Sequence, residues 1–155
     1  MRIKLRFLFI GKIKEKYILE GTEKYKKILR KYGSIEIIEI KQGKDKDVKK
    51  VIEKEKNYIL NSIKKDYFTI LLDVNGKEFS SETLSDFFNK KIETGVNSFQ
   101  FIIGGAFGVH KEIKEKADLT WKLSRLTFNH HLARLIVLEQ VYRVLSIVNK
   151  EGYHH

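Results

Sequence analysis

Three short stretches of this 155-residue chain carry residue types able to do chemistry. The first is Gly104-Gly105-Ala106-Phe107-Gly108, which directly follows the apolar run FQFII at 99–103. Glycine lets backbone approach a ligand closely, and open α/β sheets bind ligands at the carboxyl ends of their strands. The GGxxG spacing is neither the dinucleotide GxGxxG nor a GxxxxGK(S/T) phosphate loop, which disfavours NAD and ATP sites. A plain strand-to-helix turn is the other reading. The second stretch, Leu123-Ser124-Arg125-Leu126-Thr127-Phe128-Asn129-His130, offers small hydroxyls and amides able to hydrogen-bond a purine. Thr127 or Asn129 can equally serve only to cap a helix. The third is Tyr153-His154-His155, an aromatic followed by two titratable imidazoles. His130 and His131 lie side by side, but without cysteine or an HExxH pattern they do not make a metal site, and no metal is expected.

These stretches need elements to hold them. Ile3 to Ile10 reads as a strand, and Lys14 to Tyr32 places Tyr17, Ile18, Tyr25, Ile28, Leu29 and Tyr32 at helical spacing. Ile35 to Ile40 reads as a second strand and Lys46 to Ile63 as a second amphipathic helix. The run YFTILLD at 67–73 predicts a buried strand stopped by a turn at Asn75-Gly76. A helix over 80–93, a strand over 99–103, a short helix near 110–116, a brief strand near 119–123 and a last helix from about Asn129 to Asn149 complete the order. Alternation of this kind predicts an α/β fold, a mostly parallel sheet flanked by helices. The length fits a single domain spanning 1–155.

The last helix is apolar at 132, 133, 135–138, 141, 142, 144, 145, 147 and 148, wider than the stripe needed to sit on one sheet. A second copy of the chain is the simplest cover for the surplus, so a homodimer is expected.

Lys and Arg number 31 against 20 Asp and Glu, a formal charge of +11. Residues 1–65 hold 20 basic and 9 acidic side chains, whereas 66–155 hold 11 of each, so the whole excess lies in the first part. Such asymmetry attracts polyanions: RNA, DNA or an anionic membrane. A solvated lysine-rich helix surface is the plainer explanation. With no cysteine, disulfides and thiolate chemistry are excluded and a reducing, cytoplasmic setting is expected. The apolar FLFI near the start is too short for a signal peptide or a membrane span.

Taken together, IGGAFG at 103–108, LSRLTFNHHLARLIVLEQVYR at 123–143 and GYHH at 152–155 resemble the ribosomal RNA large subunit methyltransferase H family. These are small SPOUT-class enzymes that methylate N3 of a pseudouridine in 23S rRNA. The likeness extends to the opening RIKLRFLFIGK and to LLD-x-x-GK at 71–77.

The resemblance implies a SPOUT-type α/β knot, with a trefoil near the C-terminal end. It also implies S-adenosyl-L-methionine as cofactor, held at the positions matching Leu72, Gly104, Leu123, Ser124, Arg125, Leu126, Thr127 and Phe128. The partners it implies are 23S rRNA within the ribosome and a second copy of the chain, whose surface completes the catalytic centre. Arg143, Tyr153 and His154 match the family's catalytic positions. His154 is the expected base or uracil-orienting group, Tyr153 a stacking or donor group, and Arg143 a holder of phosphate or of developing negative charge. Asn129 stands where relatives usually have proline, which puts the stiffness of that loop in question. Two other readings stay open: a non-catalytic ribosome or RNA-binding protein on the same fold, and a tRNA methyltransferase of the same class.

Overall fold

A computed structural model of the chain describes residues 2–153. Five strands alternate with five helices: β1 (Ile3–Ile10), α1 (Lys16–Leu29), β2 (Gly33–Ile40), α2 (Val48–Ser62), β3 (Phe68–Glu78), α3 (Ser81–Glu93), β4 (Ser98–Ile103), α4 (Lys111–Lys116), β5 (Leu119–Lys122) and α5 (His130–Val148). The strands form one sheet in the order β2-β1-β4-β3-β5, with every pairing parallel. All loops that follow strands therefore share one edge of the sheet.

Alternation along β1 divides the core. Ile3, Leu5, Phe7 and Phe9 join Leu29, Leu84, Phe88, Val137, Val141 and Val144, which puts α1, α3 and α5 on one face. Leu8 and Ile10 join Ile59, Leu71, Ile102 and Ile113, which puts α2 and α4 on the other. Phe7 stacks on Phe101 across the β1–β4 pair with ring centroids 4.9 Å apart. Coverage on both faces explains why the central strands read as continuous apolar runs.

The structure differs from the sequence reading in two places. β3 does not stop at Asn75-Gly76. Trp121 of β5 pairs with Leu72 and again with Lys77, so 73–76 leave the ladder and the strand then resumes. Gly76 permits this, because a Cβ there would sit 2.7 Å from the backbone of Thr120 and Trp121. The wide apolar surface of α5 also finds much of its cover within the chain. The helix lies on the sheet and against both α1 and α3, and Gly21 of α1 is so close that a Cβ would meet Leu135 at 2.8 Å. A helix flanked on two sides needs a broad stripe before any partner is invoked; Leu132 remains exposed. Among the described residues, no helix is long and apolar enough to cross a membrane.

Candidate cofactor cleft

At the carboxyl edge of the sheet, the segments 72–75, 103–109 and 121–130 enclose a cleft of about 570 Å³. That volume lies within the roughly 300–1,000 Å³ typical of small-ligand pockets. Chain excursions build it. The four residues that leave the β3–β5 ladder form one wall, the glycine loop after β4 the second, and the β5–α5 loop the third. The glycine loop is closed on itself by Gly108, which donates to the Gly105 carbonyl at 3.2 Å. Its sharp return uses φ +84° at Gly108, a conformation open to glycine. Gly104 leaves no room either, since a Cβ would lie 2.6 Å from Val109 Cγ1.

The β5–α5 loop is held by its own side chains. Ser124 Oγ accepts from Leu126 N at 3.0 Å, and Asn129 caps α5 by accepting from His131 N at 2.8 Å. The asparagine thus supplies by a hydrogen bond the restraint that a proline would supply by its ring. Leu126 and Phe107 stay exposed at the rim, 73% and 54% respectively.

Of the residues matched to the cofactor, Leu72, Gly104, Leu123, Ser124, Leu126, Thr127 and Phe128 all line the cleft. Arg125 does not; its guanidinium turns outward to Glu78 at 3.2 Å. Sequence reasoning missed Asp73, Lys114 and Trp121, which also line it. Asp73 pairs with Lys114 at 3.7 Å, so an anion and a cation sit together in the lining. The signal was present in the final aspartate of YFTILLD, read there only as a strand end. His130 lines the cleft too. Burial pushes its imidazole below the ordinary histidine range, and the electrostatic influence of His131 and of the Arg134 guanidinium acts the same way.

Arg143 and Tyr153 do not line the cleft; they belong to a cluster farther along α5. Arg143 Nη2 donates to Glu139 Oε1 at 2.6 Å and Tyr153 Oη donates to the same oxygen at 3.0 Å. The guanidinium lies 4.8 Å over the Tyr153 ring. Burial, then the bond to Glu139, pushes the Tyr153 phenol up to about 12. His154 lies outside the described residues. With a helical rise of about 1.5 Å per residue, Arg143 stands roughly 20 Å along the axis from His130. One chain therefore keeps the two groups apart.

The sequence profile of the family described as "Predicted SPOUT methyltransferase" matches residues 1–154. The chain is 43% identical to the ribosomal RNA large subunit methyltransferase H of Fusobacterium nucleatum, over 97% of this chain and 98% of that protein. It is 37% identical to the protein of that name from Natranaerobius thermophilus, over 99% and 100%, and 40% identical to the one from Caldicellulosiruptor bescii, over 97% and 99%. Among solved structures, the tRNA (m1G37) methyltransferase of Aquifex aeolicus superposes with a TM-score of 0.56 at 20% identity, covering 98% of this chain and 75% of that one, a likeness of fold alone. On this sequence agreement over nearly its whole length, the chain belongs to the SPOUT methyltransferases and, within them, to the ribosomal RNA large subunit methyltransferase H family.

Proposed function

We propose that this protein is an S-adenosylmethionine-dependent methyltransferase acting on N3 of a pseudouridine in 23S rRNA. The observation that carries the reading is the meeting of three distant loops around one cleft at the carboxyl edge. The residues present fit the cofactor. Leu72, Leu123, Leu126 and Phe128 give apolar walls for an adenine, and Ser124 and Thr127 give hydroxyls beside it. Asp73 offers a carboxylate to a cation, and Lys114 and Lys122 offer ammonium groups to a carboxylate. A side chain at Gly104, which lines the cleft, would press on the Val109 side chain. When bound, S-adenosylmethionine supplies an electrophilic sulfonium methyl.

The chain's own part is positioning and proton handling. The target nitrogen bears an imide proton that must leave, and His154 is the base assigned to take it. Arg143 stabilises the negative charge that develops on the ring oxygens. Tyr153, whose phenol holds its proton to about pH 12, acts as a donor or stacking surface and not as a base. Since Arg143 stands far along α5 from the cleft of its own chain, the reading requires a homodimer in which each cleft is completed by the second copy. The same reading makes 1–155 one domain working in the cytoplasm on the ribosome, with the last loops and helix forming a trefoil knot.

Two measurements test this. Ribosomes from cells lacking the protein are incubated with protein and labelled cofactor, and the 23S rRNA is digested and weighed. A new methyl group on a pseudouridine supports the reading; cofactor that neither binds nor reacts leaves a non-catalytic RNA-binding protein. Mixing an inactive Gly104 variant with an inactive Arg143 variant then restores activity only if the two residues act across subunits.

A further inference from the structure

The loops after β1 and β2 lie side by side. Ile10 pairs with Ile40, Gly11 N donates to the Ile40 carbonyl at 2.8 Å, and Ile13 N donates to Glu39 Oε2 at 3.1 Å. With the helix starts that follow, residues 11–16 and 41–50 hold eight lysines and three carboxylates. The carboxylates are engaged within the chain. Glu15 meets His131 at 3.2 Å, Asp45 meets Lys54 at 3.4 Å, and Asp47 caps α2 by accepting from Lys49 N. Lys12, Lys14, Lys44, Lys46, Lys49 and Lys50 are exposed and have no ion-pair partner among the described residues.

The six exposed lysines exceed what these three carboxylates balance. A helix N-terminus carries partial positive charge and favours acids in its first turn. α3 and α4 follow that rule with Glu82 and Glu112. α1 and α2 have no acid in the first turn itself, where they carry Lys16, Lys49 and Lys50, and their acids stand one position earlier, at Glu15 and Asp47. Exposed ammonium groups without a partner in the chain are complementary to a polyanion. The patch also adjoins the cleft. Glu55, buried beneath it, accepts from Gly43 N at 2.9 Å, and its other oxygen lies 3.2 Å from where a Cβ of Gly105 would be.

We infer that residues 11–16 and 41–50 form a phosphate track on which the backbone of an RNA strand runs toward the cleft from the β1–β2 side. The inference rests on the proposed function for the identity of the partner as RNA. Contacts of this kind orient a strand without selecting its bases.

The test compares two quadruple variants of the full chain. One is Lys12→Gln/Lys14→Gln/Lys44→Gln/Lys46→Gln. The other removes four exposed lysines at the opposite edge: Lys4→Gln/Lys65→Gln/Lys90→Gln/Lys116→Gln. Affinity for a protein-free 23S rRNA fragment is measured across salt concentrations, with cofactor affinity in parallel. Each lost phosphate contact lowers the log–log salt slope by about 0.7–0.9. The track variant is expected to lose about 3 from the slope and at least tenfold in affinity, with cofactor affinity unchanged within twofold, while the control keeps the wild-type slope. Equal losses in both variants, or none in the first, overturn the track. A track variant that binds naked rRNA normally yet binds ribosomes poorly also overturns it, and points to an acidic protein surface. A wild-type protein that binds RNA with this slope difference but transfers no methyl group would sink the proposed reaction and leave the track standing.

Discussion

Arg134 Nη2 donates to the carbonyl of Gly11 at 2.7 Å, tying the first turns of the last helix to the end of the first strand. The same nitrogen donates to the Ile10 carbonyl, Nη1 reaches Glu39 at 3.3 Å, and the guanidinium lies 5.1 Å over the Phe9 ring. The side chain is only 2% exposed. Arg134→Met should destabilise the protein by about 3 kcal/mol, the low end of the cost of breaking a buried pair, because Glu39 stays within reach of water. Urea unfolding measures it. Arg134→Lys should recover only part of the loss, since one ammonium cannot span three acceptors set apart as these are.

Gly95 and Gly108 both adopt positive φ with open space where a Cβ would go. Alanine at either position should cost about 1–2 kcal/mol through backbone strain alone. Only Gly108→Ala, on the cleft loop, should also weaken S-adenosylmethionine binding, by about tenfold or ~1.4 kcal/mol in calorimetry. Equal cofactor affinity in the two variants would remove the glycine loop from the site.

Two phenols bonded to carboxylates predict an alkaline transition. Tyr32 donates to Glu151 at 2.9 Å and Tyr153 to Glu139 at 3.0 Å; burial first, then the carboxylate, pushes each up to about 12. Both are held protonated more firmly in the fold than in the unfolded chain. The stability they lend is complete below pH 10 and is lost as the pH rises through about 12. Denaturation midpoints between pH 9 and 12 should fall for the wild type and fall less for Tyr32→Phe/Tyr153→Phe.

Glu55 is a buried carboxyl that burial pushes above the ordinary glutamate range, opposed by its bond from Gly43 N. Its contribution runs the same way: greatest at pH below the unfolded value, and lost as pH rises through the raised folded one. Glu55→Gln keeps an acceptor for Gly43 and should gain stability at neutral pH while flattening this dependence. Glu55→Ala leaves that N–H unpaired and should cost about 1–3 kcal/mol. Thermal melts at pH 4, 5.5 and 7 separate the two variants.

Much of the fold was legible because periodicity changes sharply along the chain. The runs at 7–10 and 101–103 are apolar at every position, which a strand covered on both faces requires, and Asn129 marked the start of α5 by its capping chemistry. The excursion at 73–76 was not legible, since Asn75-Gly76 has the composition of a terminating turn and only pairing with a strand some forty residues later reveals that β3 resumes. The width of the α5 stripe was visible but its cover was not, because a stripe records how much surface is buried and not by what. For the site, glycines and hydroxyls pointed to the two loops that do line the cleft, whereas the separation of Arg143 from them depends on a straight helix between, which local pattern does not measure.

Among the described residues, those lining the cleft run from Leu72 to Ala133, while the lysines of residues 11–16 and 41–50 lie wholly in the first third. During translation the cationic edge therefore leaves the exit tunnel first, well before there is anywhere for a methyl donor to sit. A stop codon after residue 65 and ahead of Ala133 would leave a fragment that keeps the whole charge excess of residues 1–65 and lacks part of the cleft lining.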